Sequence, residues 1–229
     1  MFKFLIYPSV FEITMEPNVQ SVYNTWAEIY DEQENKTRDL DKKATQNLLS
    51  PLINSSSAVL EFGCGTGKNT EWLANVAGQI TAVDFSEEML NKAKQKISLP
   101  NLIFQQADIT RSWPFANESF NLITCNLILE HVENLDFVFF EAQRILKPNG
   151  YFFVSELHPV KQYTGSKARF ELNNKSVSPD CYTHHVSDYF SSALKSGVVC
   201  TELKEWFDDH NRDSIPRLIN LLFQKQKDK

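Results

Sequence analysis

The chain has 229 residues, of which 42% are hydrophobic and 23% are charged, and its formal net charge is −6. This composition is globular and excludes a disordered or collagen-like chain, because it supplies enough apolar side chains for a sizeable core. The negative charge argues against a nucleic-acid partner, since an acidic surface repels phosphates.

The four cysteines, Cys64, Cys125, Cys181 and Cys200, are far apart and contain no CxxC pair. This spacing is typical neither of a zinc site nor of a secreted disulfide framework. Reduced thiols favour a cytoplasmic protein. The chain has no run of about 18 apolar residues, so we expect no membrane span.

Residues 1–18 begin as an apolar stretch that Pro8 and Glu12 interrupt. No cleavage site of small residues follows, so a signal peptide is disfavoured. We expect a flexible N-terminal tail here.

The first regular pattern follows this tail. Val22, Trp26 and Ile29 lie at helical spacing and predict a helix over Val19–Tyr30. A second helix is predicted over Leu40–Leu49, where a proline ends it.

Short apolar strands then alternate with helices. The predicted strands are Ala58–Phe62, Gln79–Asp84, Leu102–Gln106, Phe120–Asn126 and Tyr151–Leu157, and the predicted helices are Lys68–Val76, Ser86–Ile97 and Asp136–Leu146. This alternation predicts a parallel sheet covered by helices on both faces. Ligands of such sheets bind at the carboxyl ends of the strands, so the residues after each strand are candidates for chemistry.

The pattern weakens after Leu157. Residues 158–182 are polar, and we predict no element in them. Earlier in the chain, Lys147–Gly150 is predicted as a turn that ends the helix before the fifth strand. A helix is predicted at Ser187–Lys195 and ends near a glycine. The last two predicted strands are Val198–Trp206 and Leu218–Gln224.

A glycine-rich turn, Gly63–Gly67, follows the first strand and precedes a helix. Glycine permits positive φ and the close approach of a ligand, and the helix start presents unpaired backbone N–H groups. Three glycines alone are a weak signal, but this position favours a nucleotide site. The spacing GxGxG differs by one residue from the dinucleotide pattern, so an NAD-dependent oxidoreductase stays an alternative.

Polar side chains follow the later strands. Asp84 ends the second strand, where a carboxylate is placed to accept hydrogen bonds from both ribose hydroxyls. Asp108 follows the third strand and is placed to accept from an adenine amino group. Met89 is a candidate to cover the adenine face, and Asn126 is a candidate to line the cleft. The alternatives are a helix cap for Asp84 and core packing for Met89.

Five motifs occur in order along this part of the chain. They are Glu61-x-Gly63-x-Gly65-x-Gly67, Asp84-x-Ser86-x-x-Met89-Leu90, Ala107-Asp108-Ile109, Leu129-Glu130-His131-Val132 and Leu146-Lys147-Pro148-x-Gly150. Together they resemble the class I S-adenosylmethionine-dependent methyltransferases, and within these the broad group that methylates small molecules and has ubiquinone-type C-methyltransferases among its relatives. The resemblance is strong over residues 57–157 and weak after residue 158.

The resemblance implies an α/β, Rossmann-like fold: a seven-stranded, mostly parallel sheet with helices on both faces and an antiparallel last strand. It implies the cofactor S-adenosyl-L-methionine, with S-adenosyl-L-homocysteine as product. The implied cofactor residues are Tyr30, Glu61, Gly63, Gly65, Gly67, Asp84, Phe85, Met89, Asp108, Ile109 and Asn126. Among these, Gly63 and Gly65 would approach the methionine part of the cofactor.

The resemblance also implies how the chain is divided. A single methyltransferase domain over residues 19–229 would contain a helical lid at 19–50, a cofactor-binding core at 57–157, an acceptor-pocket segment at 158–197 and a C-terminal hairpin at 198–225. The lid would bring Tyr23 and Tyr30 over the pocket. We expect a small-molecule methyl acceptor and a monomer or homodimer.

A general base is needed only if the acceptor carries a proton. His158 and His184 are the predicted catalytic residues, because one follows the fifth strand, the other lies in the acceptor segment, and histidine titrates near neutrality. A structural role is the alternative for each. His131, at the start of a predicted helix, is interpreted as a packing or capping residue. The adjacent pair His184–His185 lacks an acidic partner, so no metal site is predicted.

Two alternatives stay open beside the oxidoreductase. A tRNA-base methyltransferase is disfavoured by the acidic charge and by the sequence Asn126-Leu127-Ile128-Leu129, which lacks the Pro-Pro-aromatic run of base-amino enzymes. A non-catalytic cofactor-binding protein is disfavoured because the glycines and both strand-end carboxylates are intact.

Overall fold

The computed structural model describes residues 19–172 and 175–227, so the predicted tail at residues 1–18 lies outside the described residues. The helices are α1 Val19–Trp26, α2 Lys36–Leu49, α3 Thr70–Val76, α4 Glu87–Lys96, α5 Leu135–Ile145, α6 Pro159–Tyr163 and α7 Val186–Ser196. The strands are β1 Ala58–Phe62, β2 Gln79–Asp84, β3 Leu102–Gln106, β4 Phe120–Asn126, β5 Leu146–Leu157, β6 Phe170–Leu172, β7 Lys175–Val177, β8 Val198–Trp206 and β9 Leu218–Lys225. None of the helices in this part of the chain is long and apolar enough to cross a membrane.

Seven of the strands form one sheet in the order β3-β2-β1-β4-β5-β9-β8. Strands β1 to β5 pair in parallel, whereas β9 runs antiparallel to β5 and to β8. The predicted fold class is therefore confirmed, including the antiparallel last strand. The direction of strand succession reverses between β1 and β4, and this is the place where such sheets bind ligands.

Successive residues of a strand point to opposite faces of the sheet, and helices cover both faces here. Leu60 and Phe152 face a core that α5 and α7 cover, whereas Val59 and Phe153 face a core built with α2 and α3. All four side chains are fully buried. This two-sided burial explains why the central strands are continuous apolar runs.

The structure corrects several predicted boundaries. The first helix ends at Trp26 instead of Tyr30, and α2 begins at Lys36, four residues before the prediction, because Asn35 caps it by accepting from two backbone N–H groups. Strand β5 begins at Leu146 and includes the segment predicted as a turn, since Leu146 pairs with Phe120.

The segment that was predicted to hold no element contains α6 and the β6–β7 hairpin. His158 caps α6 with its side chain, and Pro159 occupies the first helical turn, where a missing N–H costs nothing. These are local signals that a hydrophobic pattern does not carry.

Two neighbouring residues of α5 test the packing of this fold. Phe139 is fully buried and meets Phe152 and Phe223 edge-to-face, with ring centroids 5.2 and 5.0 Å away, whereas Phe140 is 50% exposed. We expect Phe139→Ala to lower the free energy of unfolding by about 3–5 kcal/mol, because it removes buried surface and leaves a cavity. Phe140→Ala is the matched control and should cost less than about 1 kcal/mol. Urea unfolding of both variants measures this, and equal losses would contradict the core described above.

Candidate active site

A cavity of about 460 Å³ opens at the carboxyl ends of β1, β2, β3 and β4, where the strand succession reverses. Helix α1 forms part of its wall through Val19, Gln20 and Tyr23. Ten of the eleven predicted cofactor residues line it, namely Tyr30, Glu61, Gly63, Gly65, Asp84, Phe85, Met89, Asp108, Ile109 and Asn126. The structure thus brings these residues together around one space.

The glycine turn provides backbone shape at this site. Gly63, Gly65 and Gly67 all have positive φ, at 71°, 53° and 91°. A Cβ added at Gly65 would meet no protein atom within 4 Å, so the absent side chain leaves open space beside the cavity. Gly67 does not line the cavity. A Cβ there would lie 2.6 Å from Cδ1 of Ile97, so this glycine lets the end of α4 pack against the turn.

Asp84 joins the turn to the second strand. Its Oδ2 accepts a hydrogen bond from the Gly65 N–H at 2.8 Å, and its Oδ1 accepts from the Ser86 N–H at 2.9 Å. Burial raises the pKa of Asp84 to about 6, although these backbone donors oppose the shift. Each ionised oxygen keeps a further lone pair, so two more donors can bind. The helix-cap alternative does not apply, because Ser86 caps α4 by accepting from the Met89 N–H.

Two charged residues of α2 belong to the cavity wall and were missed in the sequence. Asp41 is buried and accepts from the side-chain amides of Asn69 and Asn126, at 3.0 and 2.8 Å. Arg38 donates to the Tyr30 carbonyl at 2.8 Å, and its guanidinium lies 4.0 Å from the centroid of the Tyr30 ring. The available signal was the helical spacing of Arg38, Asp41 and Thr45, which places a polar stripe on the buried face of α2.

Several polar atoms at this end of the cavity have no hydrogen-bond partner. They are Nε of Arg38 and the Oδ1 atoms of Asn69 and Asn126. Buried polar groups are usually paired, because an unpaired one costs about 1–3 kcal/mol. Among the described residues these three side chains line the cavity, and their unpaired atoms are themselves buried.

Helix α1 is held against the loop that follows β2. Gln20 donates from its side chain to the Phe85 carbonyl at 2.7 Å, and Ser86 donates to the side chain of Asn24 at 2.6 Å. Trp26 packs in one apolar cluster with Met89. These contacts place α1 beside the cavity, and its role as a lid stays a prediction.

A tyrosine–histidine pair lies where α1 meets the segment after β4. Oη of Tyr23 is 2.8 Å from Nε2 of His131, and Nδ1 of His131 is 2.8 Å from the Asp180 carbonyl oxygen. Both side chains line the cavity. The interpretation of His131 as a packing or capping residue is therefore incomplete, since its ring also forms part of the site.

The two predicted catalytic histidines lie outside the cavity lining. His158 accepts from the Val160 N–H at 3.2 Å, and its Nε2 is 3.0 Å from the Glu205 carboxylate. Burial lowers the pKa of His158, and Glu205 partly offsets this. Nε2 of His184 lies 3.1 and 2.7 Å from the carbonyl oxygens of Leu129 and Val132. These contacts give each histidine a structural role, and their catalytic roles stay predictions.

Residues 60–154 match the family model described as a methyltransferase domain. The demethylmenaquinone methyltransferase of Lactococcus lactis subsp. lactis is 31% identical to the chain over 205 residues, which cover 85% of this chain and 77% of that protein. The chain belongs to the S-adenosylmethionine-dependent methyltransferases.

Two further comparisons concern this methyltransferase. The malonyl-[acyl-carrier protein] O-methyltransferase of Bacillus anthracis is 36% identical over 124 residues, which cover 51% of this chain and only 44% of that relative's length. The structure of DhpI in complex with SAH superposes with a TM-score of 0.69 at 20% identity, over 91% of this chain and 96% of that one. At this identity the likeness shows the fold alone.

The methyltransferase also buries a carboxyl group at the end of β1. Oε2 of Glu61 accepts from the Thr70 hydroxyl at 2.6 Å, and burial raises the pKa of Glu61 from 4.5 to about 7. A raised pKa means that the folded chain binds this proton more tightly than the unfolded chain does. Stability therefore falls as the pH rises from the unfolded pKa to the folded one.

We expect Glu61→Gln to remove this loss, since the amide keeps an acceptor for Thr70 and carries no charge. Relative to the original protein, the free energy of unfolding of the variant should rise by up to about 3 kcal/mol between pH 4.5 and pH 7, because each pKa unit corresponds to 1.36 kcal/mol. Urea unfolding without cofactor across this pH range measures the difference. If the difference in the free energy of unfolding between the two proteins did not change with pH, the raised pKa of Glu61 would be wrong.

Proposed function

We propose that this methyltransferase binds S-adenosyl-L-methionine in the cavity and transfers its methyl group to a small-molecule acceptor, leaving S-adenosyl-L-homocysteine. The observation that carries the proposal is the bond between the Asp84 carboxylate and the Gly65 N–H on the cavity wall. This bond places the Asp84 carboxylate, which can accept hydrogen bonds from two hydroxyl groups, beside the glycine backbone of Gly65. A ribose with its 5′ substituent needs these two features together.

The adenosine end of the cofactor fits the wall beyond Asp84. Phe85, Met89 and Ile109 supply apolar surface for the base, and Asp108 lies at the same end of the cavity. The Asp108 carboxylate accepts from the Thr110 hydroxyl at 2.6 Å and from Nε of Arg111 at 3.2 Å. These bonds orient it and leave lone pairs for the adenine amino group.

The methionine end of the cofactor fits the polar residues that line the opposite side of the cavity. The Arg38 guanidinium is a cation suited to the carboxylate of the cofactor, and the amides of Asn69 and Asn126 line the same side of the cavity, where its ammonium group would lie. Asp41, held by both amides, adds a negative charge that favours the ammonium. When bound, the cofactor supplies an electrophilic methyl group on a sulfonium, and the residues of the chain hold and orient it.

The shape of the site supports a small acceptor. Helix α1 forms one wall of the cavity and is bonded to the loop after β2, and the net charge of −6 disfavours a nucleic-acid chain at the mouth of the cavity. The two relatives are named for different acceptors: one name refers to demethylmenaquinone and the other to a malonyl group on acyl-carrier protein. The relatives therefore support methyl transfer, while the acceptor has to follow from the residues of this chain.

Thermal unfolding with added ligands tests the cofactor. At 100 times its dissociation constant, S-adenosyl-L-homocysteine should stabilise the protein by about 2.7 kcal/mol. For a chain of this size that corresponds to a rise in melting temperature of about 5–11 °C. NAD at the same concentration should give no such shift. Stabilisation by NAD in place of the sulfur compound would favour the oxidoreductase and reject the proposal.

Asp84→Asn tests the ribose contact, because it removes the charge and keeps the shape. We expect S-adenosyl-L-homocysteine to bind about 10- to 150-fold more weakly, since a hydrogen bond to a charged group contributes about 1.5–3 kcal/mol. Asp136→Asn is the matched control, since that carboxylate bonds Ser192 and Lys195 outside the cavity. Calorimetry measures all three proteins. Equal affinity of Asp84→Asn and the original protein would refute the assignment.

A further inference from the structure

The hydrogen bonds of His131 determine which of its ring nitrogens carries the proton. A carbonyl oxygen only accepts hydrogen bonds, so Nδ1, which lies 2.8 Å from the Asp180 carbonyl, is the protonated nitrogen of the neutral ring. Nε2 then has a lone pair, and the hydroxyl of Tyr23 donates to it over 2.8 Å. The pair therefore has a direction, from the phenol oxygen at the cavity wall to a basic nitrogen behind it.

The surroundings of the pair suit a proton that moves toward His131. Oε1 of Glu130 lies 4.0 Å from Nε2, so a carboxylate stands next to the ring where a positive charge would form. Burial raises the pKa of Tyr23 well above its usual value, and the carboxylates of Glu130 and Asp84 act in the same direction. Tyr23 accordingly keeps its own proton until the histidine takes it.

The other acidic side chains of the cavity wall are engaged elsewhere. Asp84 is bonded to two backbone N–H groups, Asp41 to three side chains and Glu61 to Thr70. Asp108 is paired with Arg111. Protonating any of these carboxylates would weaken the hydrogen bonds or ion pair that it already makes. The hydrogen bond from Tyr23 to His131, in contrast, provides a path along which a proton can move.

We propose that Tyr23 and His131 form a proton relay, and that the acceptor is a nucleophile that must lose a proton, such as a hydroquinone, a phenol or an amine. The proposal rests on the methyl transfer proposed above. It disfavours a carboxylate acceptor, which has no proton to lose at neutral pH and needs no base. The relay thus narrows the acceptor from any small molecule to one chemical class.

The step balances in atoms and charge. A bond forms between the nucleophilic atom and the methyl carbon while the carbon–sulfur bond breaks, and its electron pair stays on sulfur. The proton of the nucleophile passes to Oη of Tyr23 as the phenol proton passes to Nε2 of His131. The positive charge that leaves the sulfonium therefore ends on the imidazolium beside Glu130.

A purely structural pair, which only fixes α1 to the segment after β4, is the competing explanation. Both explanations use the same hydrogen bonds, so the kinetics below separate them, while nitrogen NMR of the protein with bound S-adenosyl-L-homocysteine at pH 8 tests the tautomer without which the relay cannot work. The relay requires a proton on Nδ1 and none on Nε2 of His131. A proton on Nε2 overturns it, and this measurement does not depend on knowing the acceptor.

Kinetics with Tyr23→Phe and His131→Gln test the role itself. The acceptor probes are a reduced naphthoquinone, a primary alkyl amine and a malonyl thioester with a free carboxylate. We expect methylation of the hydroquinone or the amine, with kcat lowered about 100-fold or more in either variant at saturating cofactor. The rise of kcat with pH on the acidic side should disappear in both variants. Preferred methylation of the carboxylate probe would overturn the acceptor class.

The chain provides a matched control on its surface. Oη of Tyr163 is 2.6 Å from Nδ1 of His185, and this second tyrosine–histidine pair does not line the cavity. Tyr163→Phe removes the same atom outside the cavity lining, so at saturating acceptor and cofactor it should lower kcat far less than Tyr23→Phe does. If Tyr23→Phe weakened cofactor binding but recovered full kcat at saturating cofactor, the pair would only fix α1 and the relay would be wrong.

Calorimetry on the original protein keeps this inference separate from the function on which it rests. Failure to bind S-adenosyl-L-homocysteine would reject the proposed methyl transfer. If the original protein binds S-adenosyl-L-homocysteine, but His131 carries a proton on Nε2 or both variants keep the original kcat, the relay is rejected and the proposed methyl transfer is not.

Discussion

The hydrogen bond from the Gly65 backbone to Asp84 is the constraint on which the site depends. Strands β1 and β2 pair in parallel and in register up to Phe62 and Val83, so their carboxyl ends lie side by side. The turn after β1 can bend back to Asp84 only because its glycines adopt positive φ. The same bond positions the carboxylate and exposes the bare backbone, so the sheet register determines the shape of the cavity.

Buried carboxyl groups surround this constraint and cost stability. Burial raises the pKa of Asp41, Glu61, Asp84, Glu130 and Glu156 above their usual values. Negative groups held in a medium of low dielectric attract a cation more strongly than they would in water. Of these five groups, Asp41, Glu61 and Asp84 line the cavity, so under the proposed function a bound sulfonium and ammonium group would favour their ionised forms.

The features that could be predicted from the sequence are those determined by neighbouring residues, namely the strand bounds and a helix cap. Strands β1 to β4 have the predicted bounds, because each is an apolar run between turn residues, and Ser86 caps α4 as its position indicates. The site contacts of α2 were missed because charged residues of a helix are ordinarily expected on its solvent face. The pairing of Tyr23 with His131 joins residues 108 positions apart, and such a contact depends on how α1 docks, which no local pattern reports.

The position of α1 determines whether Tyr23 reaches His131, so the proposed chemistry depends on how this helix packs against the cavity. Helix α1 lines the cavity and carries Tyr23, so the contacts of Gln20 and Asn24 with the loop after β2 help to position the phenol beside His131. In a relay of this kind the proton acceptor is complete only when the helix is docked. Deprotonation of the nucleophile would then occur where bulk water is excluded and the charges of the wall act at full strength. Under the proposed relay, the helix that lines the cavity would therefore also supply a catalytic side chain.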